Sequence, residues 1–164
     1  MGLTSEQVKK ILPHRRPFLF IDEVKSIYLP NRESFPKVIS MKDLVGCVVE
    51  AIYDVKEEMD VLAGHFPGNP IVPGVVQVEM MAQASCLGLY LCIKDIDNVK
   101  LEVALLGTEK CKFRKPAKPG MKLDIRAECT KSRPPFCHYD CKITSDGELI
   151  SESVIFAYSK ILEG

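Results

Sequence analysis

The chain has 164 residues, with 22 basic and 22 acidic side chains and a formal net charge of zero. That balance argues against a general affinity for nucleic acid, and the length suits a single domain (1–164) with a core of its own. Seven cysteines without a CxxC pair and three scattered histidines, at 14, 65 and 138, do not form a zinc pattern. Met1 to Lys10 lacks the apolar stretch of a signal peptide, so the expectation is reduced thiols serving as small apolar core residues in a cytoplasmic protein.

In chain order, Thr4 to Leu12 reads as a short helix capped by Thr4 or Ser5 and ended at Pro13. Phe18 to Tyr28 reads as a first strand. Leu29 to Met41, with two prolines, an Asn and several charges, reads as a loop. Asp43 to Val55, rich in Val and Ile, is a second strand, and a helical turn is expected within Lys56 to Ala63.

The segment Gly64 to Gln83 (GHFPGNPIVPGVVQVEMMAQ) carries the most chemical information. His65 stands just ahead of a loop rich in proline and glycine. An apolar helix follows, expected from Gly74 to Ile93, about 30 Å long at 1.5 Å per residue. Glu79 is the one charged residue between Ile71 and Ile93. Helix N-termini leave amide groups without helical partners, so the Gly74 N–H is expected to point outward, with the macrodipole adding partial positive charge. Such a long apolar run raises the question of a membrane span. Pro73-Gly74 breaks the run, and Gln77, Glu79 and Gln83 interrupt it, so a buried core helix is the better reading. Desolvation disfavours the charged form of a carboxylate, and histidine titrates near neutrality. His65 and Glu79 therefore make a candidate base and acid for one water-poor site.

The second half alternates. Leu101 to Arg114 is a third strand, followed by a turn at Pro116 to Gly120. Met121, Leu123, Ile125, Ala127 and Cys129 alternate with charged or polar residues, as do Cys137, Tyr139, Cys141 and Ile143. That is the period of half-buried antiparallel strands. Ser145-Asp146-Gly147 supplies a turn. Ile150, Val154, Phe156 and Tyr158 are read as the inward face of a last strand, with Glu152 as a misfit. The sum is an α+β fold, an antiparallel sheet wrapped around one long central helix.

His65-Phe66-Pro67-Gly68-Asn69-Pro70-Ile71-Val72-Pro73-Gly74-Val75-Val76-Gln77-Val78-Glu79-Met80-Met81-Ala82-Gln83 resembles the HFPGxPxxPGVLxxEAxAQ pattern of beta-hydroxyacyl-acyl-carrier-protein dehydratases of the FabZ type. Two further segments match in order. Leu12-Pro13-His14-Arg15-Arg16-Pro17-Phe18-Leu19-Phe20-Ile21-Asp22 is similar to LPHRxPFLxxD, and Lys112-Phe113-Arg114-Lys115-Pro116 with Pro119-Gly120 is similar to KFRxPVxPGD.

The resemblance implies a hotdog fold, a homodimer with a continuous sheet and further assembly into a hexamer. It implies loss of water from a (3R)-3-hydroxyacyl thioester carried on acyl carrier protein, in fatty acid biosynthesis, with no metal or organic cofactor. His65 matches the base that takes the α-proton, and Glu79 the carboxyl acting at the β-hydroxyl, the two coming from opposite subunits. Gly74 would meet the thioester carbonyl. Phe66, Val75, Gln83 and Met80 are the other substrate-side positions, with Gln83 one turn beyond Glu79. His14 is expected to be structural and His138 exposed. The basic group Lys110, Lys112, Arg114, Lys115 and Lys118 is a candidate docking face for an acidic carrier protein. Met80 stands where the family usually has Ala, and the segment Leu29 to Ala63 looks longer than is usual. Two other readings stay open. One is a related hydratase or thioesterase of a specialised pathway, and the other is a non-catalytic acyl-binding scaffold subunit.

Overall fold

Thr4 opens the first helix, α1 (Ser5–Ile11), with a reciprocal capping box. Its hydroxyl oxygen accepts from Gln7 N, and Gln7 Oε1 accepts from Thr4 N at 3.0 Å. The computed structural model describes residues 1–30 and 38–163. Part of the 29–63 segment therefore lies outside the described residues. Most of the remainder is regular structure: a 3-10 turn at Met41–Leu44, strand β2 (Val48–Asp54) and helix α2 (Asp60–Gly64).

Strand β1 (Glu23–Tyr28) starts later than the sequence implies. The reason is a tertiary contact: the Phe20 amide and Phe18 carbonyl bond to the side chain of Gln83 rather than to a neighbouring strand. β2 likewise begins at Val48, because Ser40 caps the 3-10 turn and Gly46 follows at φ 86°. The remaining strands are β3 (Val99–Phe113), β4 (Lys122–Arg133), β5 (Phe136–Ser145) and β6 (Glu148–Glu163). Asp146 and Gly147, both at positive φ, close the β5–β6 hairpin, the left-handed pair that a two-residue hairpin turn requires.

The six strands form one antiparallel sheet in the order β1-β2-β4-β5-β6-β3. Helix α3 (Gly74–Leu87) packs against β2 to β6. This is the hotdog arrangement. The helix is shorter than expected: it tightens into a 3-10 stretch at Gly88–Cys92. By length and composition Gly74–Cys92 resembles a membrane span, but 72% of its most apolar window is buried inside the protein, as in a core helix.

Leu123, Ile125, Ala127 and Cys129 on β4, and Cys137, Tyr139, Cys141 and Ile143 on β5, all face the core as their alternation implies. On β6 Ile150 is buried as its pattern implies, but beyond it the inward face is the other one. Ser151, Ser153, Ile155, Ala157 and Ser159 are buried, while Val154, Phe156 and Tyr158 are half-buried on the outer face. Small side chains leave room for α3, and hydrophobicity alone pointed to the larger ones. Glu152 is then no misfit, because it pairs with Arg114 on the outer face at 2.6 Å. His138, expected to be exposed, is half-buried and stacks on Phe156 with ring centroids 4.5 Å apart. All seven cysteines are free thiols, six of them buried and Cys111 exposed.

The two sheet edges differ. Leu3 covers β1 through paired bonds with Val24, at 2.8 and 3.0 Å. The outer edge of β3 has no strand beside it among the described residues, and it exposes Leu105, Leu106 and Phe113. An open apolar edge of this length invites pairing.

Candidate active site

His65 follows directly on α2, and its ring is held on two sides. Nδ1 lies 2.8 Å from the Ile71 carbonyl oxygen, and Phe66 stacks on the ring at a centroid distance of 4.0 Å. A carbonyl can only accept, so Nδ1 carries the proton and Nε2 keeps its lone pair. The loop is closed by Ile71 N bonding to His65 O at 2.8 Å and by reciprocal bonds between Phe66 and Asn69.

Glu79 is half-buried on α3. Gln83 Nε2 donates to its Oε1 at 2.8 Å. The same amide nitrogen donates to Phe18 O at 2.8 Å, and Gln83 Oε1 accepts from Phe20 N at 2.9 Å. These three bonds fix which way the amide faces, because only its oxygen can take the Phe20 N–H. His14 Nε2 lies 3.3 Å from the same Glu79 Oε1. Glu79 Oε2 has no hydrogen-bond partner among the described residues.

Within one chain Glu79 and His65 line different cavities. His65 opens onto a cleft of about 660 Å³ that includes Ile71, Gly74, Val75, Gln77 and Phe113. Glu79 lines a small cavity of about 60 Å³ with His14, Gln83, Cys86 and the Val103–Leu105 stretch of β3. A third cavity, about 520 Å³ and mostly apolar, lies against Phe18, Phe20, Tyr53, Met59 and Val76, and neither His65 nor Glu79 lines it.

Helix α3 enters from Pro73, whose carbonyl accepts from Val76 N and Gln77 N at 3.0 and 3.1 Å. The Gly74 and Val75 amides have no backbone acceptor among the described residues and stand at the mouth of the His65 cleft. A side chain at Gly74 would need the Phe113 ring to move: a Cβ would lie 2.6 Å from Phe113 Cζ. Val75, 78% exposed, and Phe66 stand beside the same cleft, whereas Met80 is fully buried and lines none of these three cavities.

The basic group divides. Arg114 and Lys115 line the His65 cleft. They are paired with Glu152 and Glu148, at 2.6 and 2.7 Å. Lys110 and Lys112 lie on the outer sheet face in a groove shared with Asp140, Lys142 and Glu152. Lys110 sits at φ 51° in the bulge where β3 slips register between Glu109 and Lys112. Lys118 is exposed in the turn before β4.

Two neighbours of the Glu79 carboxyl lie outside the residues that the sequence singles out for the site. His14, read from the sequence as structural, lies beside the carboxylate, 65 positions along the chain. Its signal was its place in the second matching segment. The Val103–Leu105 wall of the Glu79 cavity carries no motif at all and is known only from the packing.

The FabA-like domain family matches residues 12–153 of this chain. The chain belongs to that family. Within it, the curated relatives place it among the FabZ-type dehydratases. It is 36% identical over 148 residues to the 3-hydroxyacyl-[acyl-carrier-protein] dehydratase FabZ of Erythrobacter litoralis, covering 90% of this chain and 87% of that one. It is also 36% identical over 151 residues to the bifunctional enzyme LpxC/FabZ of Chlorobaculum tepidum, covering 92% of this chain but only 28% of that longer protein. Among solved structures, the dehydratase heterocomplex ApeI:P from Xenorhabdus doucetiae superposes with a TM-score of 0.64 at 19% identity. The match covers 93% of this chain and 90% of that one, and it bears on the fold alone.

Proposed function

We propose that this chain removes water from a (3R)-3-hydroxyacyl thioester on acyl carrier protein, giving the trans-2-enoyl thioester, as a step of fatty acid biosynthesis in the cytoplasm. The observation that carries the reading is the His65 ring, whose Nδ1 is tied to Ile71 O so that Nε2 is left as a base. Nε2 takes the α-proton. The charge that develops on the thioester oxygen meets the free amides at the start of α3, where the helix dipole favours negative charge. Glu79 gives its proton to the departing β-hydroxyl, and water leaves. His65 then holds a proton and Glu79 has lost one, and exchange with solvent resets both. Buried, unpaired thiols suit a reducing compartment.

The reading requires two chains. The Glu79 cavity adjoins Val103–Leu105 in the first half of β3, and the His65 cleft adjoins Phe113 at its far end. A two-fold axis near Thr108, pairing β3 with the β3 of a second copy, would bring each Glu79 cavity towards the partner's His65. The open edge and its exposed leucines support this dimer, whereas a trimer of such dimers rests on resemblance alone. Gly74, Val75 and Phe66 flank the cleft where the thioester would lie, Gln83 holds the acid, and Met80 acts only by shaping the core behind it.

The test is enoyl-thioester absorbance with a 3-hydroxyacyl carrier-protein substrate. Turnover by the wild type that collapses in His65→Ala and in Glu79→Gln supports the reading, and release of free thiol instead would identify a thioesterase. Unfolding and refolding the two dead variants together should restore about a quarter of wild-type activity, since half the dimers are mixed and each mixed dimer has one intact site. No recovery would place both groups in one chain. No turnover at any chain length would leave the scaffold reading.

A further inference from the structure

We propose that His14 is a positioning residue for Glu79. Together with Gln83 it holds Oε1 as an acceptor, and so keeps the transferable proton on Oε2. The inference rests on the dehydratase reading above and adds a residue to it.

His14 is carried by a tied-down arch. Leu12 is buried in the core, and its amide bonds to Val8 O at 2.8 Å. Arg15 Nη1 folds back to donate to Leu12 O and His14 O, at 2.9 and 2.6 Å. Phe18 N bonds to Arg15 O at 2.8 Å, and Gln83 then holds Phe18 and Phe20. The arch thus meets Glu79 twice, directly through His14 and indirectly through Gln83.

Both contacts fall on the same oxygen. Gln83 Nε2 is 2.8 Å and His14 Nε2 is 3.3 Å from Oε1. An oxygen that accepts from Gln83 and faces a second ring nitrogen at 3.3 Å is a poor place for a proton of its own, so a neutral Glu79 carries its proton on Oε2. Turning the carboxyl over would exchange the oxygens and put that proton against the Gln83 amide.

A space-filling role does not account for the ring. His14 Nδ1 is buried without a partner, which costs free energy that a phenyl ring of similar shape would avoid. The nitrogen that makes the polar contact is Nε2, and its contact is Glu79.

The experiment compares His14→Phe, which keeps the ring and removes the donor, with His14→Gln, whose amide can reach the same oxygen. His14→Phe should lower kcat by about 10- to 100-fold, as a misaimed catalytic group does, with KM unchanged. His14→Gln should recover most of that loss. In a Glu79→Gln background, His14→Phe should cost nothing more, because the two act as a unit. Wild-type kcat in His14→Phe, losses that multiply across the two sites, or a His14→Gln as poor as His14→Phe would each overturn the proposal. If the phenyl ring destabilises the fold in a melting experiment, His14→Asn, whose amide stops short of Glu79, takes its place. If the wild type shows no turnover, the dehydratase reading fails, and His14 is then decided by NMR of its ring nitrogens. An Nε2–H tautomer whose resonance moves on Glu79→Gln supports the contact, and an unmoved resonance overturns it.

Discussion

The Ile71 carbonyl oxygen stands 2.8 Å from His65 Nδ1, and this one contact decides which ring nitrogen can act as a base. Replacing His65 by Ala should lower kcat by about 10²–10⁴-fold, the range for loss of a general base. A kcat near wild type in a folded His65→Ala would assign the proton abstraction to another group.

Gln83→Leu nearly preserves volume but removes three polar contacts at once. It leaves the buried Phe20 amide and the Phe18 carbonyl without their side-chain partners. Each such orphan costs about 1–3 kcal/mol, so a lower melting temperature is expected along with a loss in kcat. A variant that melts like the wild type would mean the arch is held by other contacts.

Gly74→Ala tests the mouth of the cleft. A Cβ there would press on the Phe113 ring, which is half-exposed and free to swing. Stability should change little, but the displaced ring should crowd the site and impair turnover. Adding Phe113→Ala should restore part of the activity, and no recovery would locate the defect in the helix start itself.

Lys112 and Lys115 flank the cleft and the outer groove. Reversing both charges should raise KM for a carrier-protein substrate while leaving kcat near wild type. A shorter thioester without the carrier should not feel the change. An unchanged KM would rule these lysines out of docking.

Thiol labelling tests the core. Burial pushes the Cys86 and Cys141 thiols up to about 12, and Cys47 and Cys92 likewise. Thiolate is the reactive form. The Cys137 thiol is instead held low by its hydrogen bond with Cys129, but it is fully buried and closed to a reagent, so at neutral pH at most one residue, the exposed Cys111, should react in the native protein. All seven should react after unfolding. Two or more fast thiols in the folded chain would contradict this packing.

Strand alternation identified the inner faces of β4 and β5, and the Pro73-Gly74 entry marked the start of α3, because period and turn chemistry are local. The inner face of β6 was misread because its serines are chosen for size, and only the nearness of α3 explains them. The start of β1 was misplaced because a side chain 63 residues away takes the hydrogen bonds of Phe20. The separation of His65 and Glu79 into two cavities depends on how β3 lies beside the helix, and residue spacing does not encode that.

The arch from Leu12 to Phe20 sets a condition on assembly. A chain in which those nine residues had not yet docked would have its helix and sheet in place, yet its carboxyl would lack both neighbours at Oε1. On the proposed reading, competence therefore depends on residues 12–20 settling against the side chains of α3. Anything that pulls on this arch would reach the Glu79 carboxyl through only two side chains, so the arch is a handle on the proposed chemistry as well as an edge of the fold.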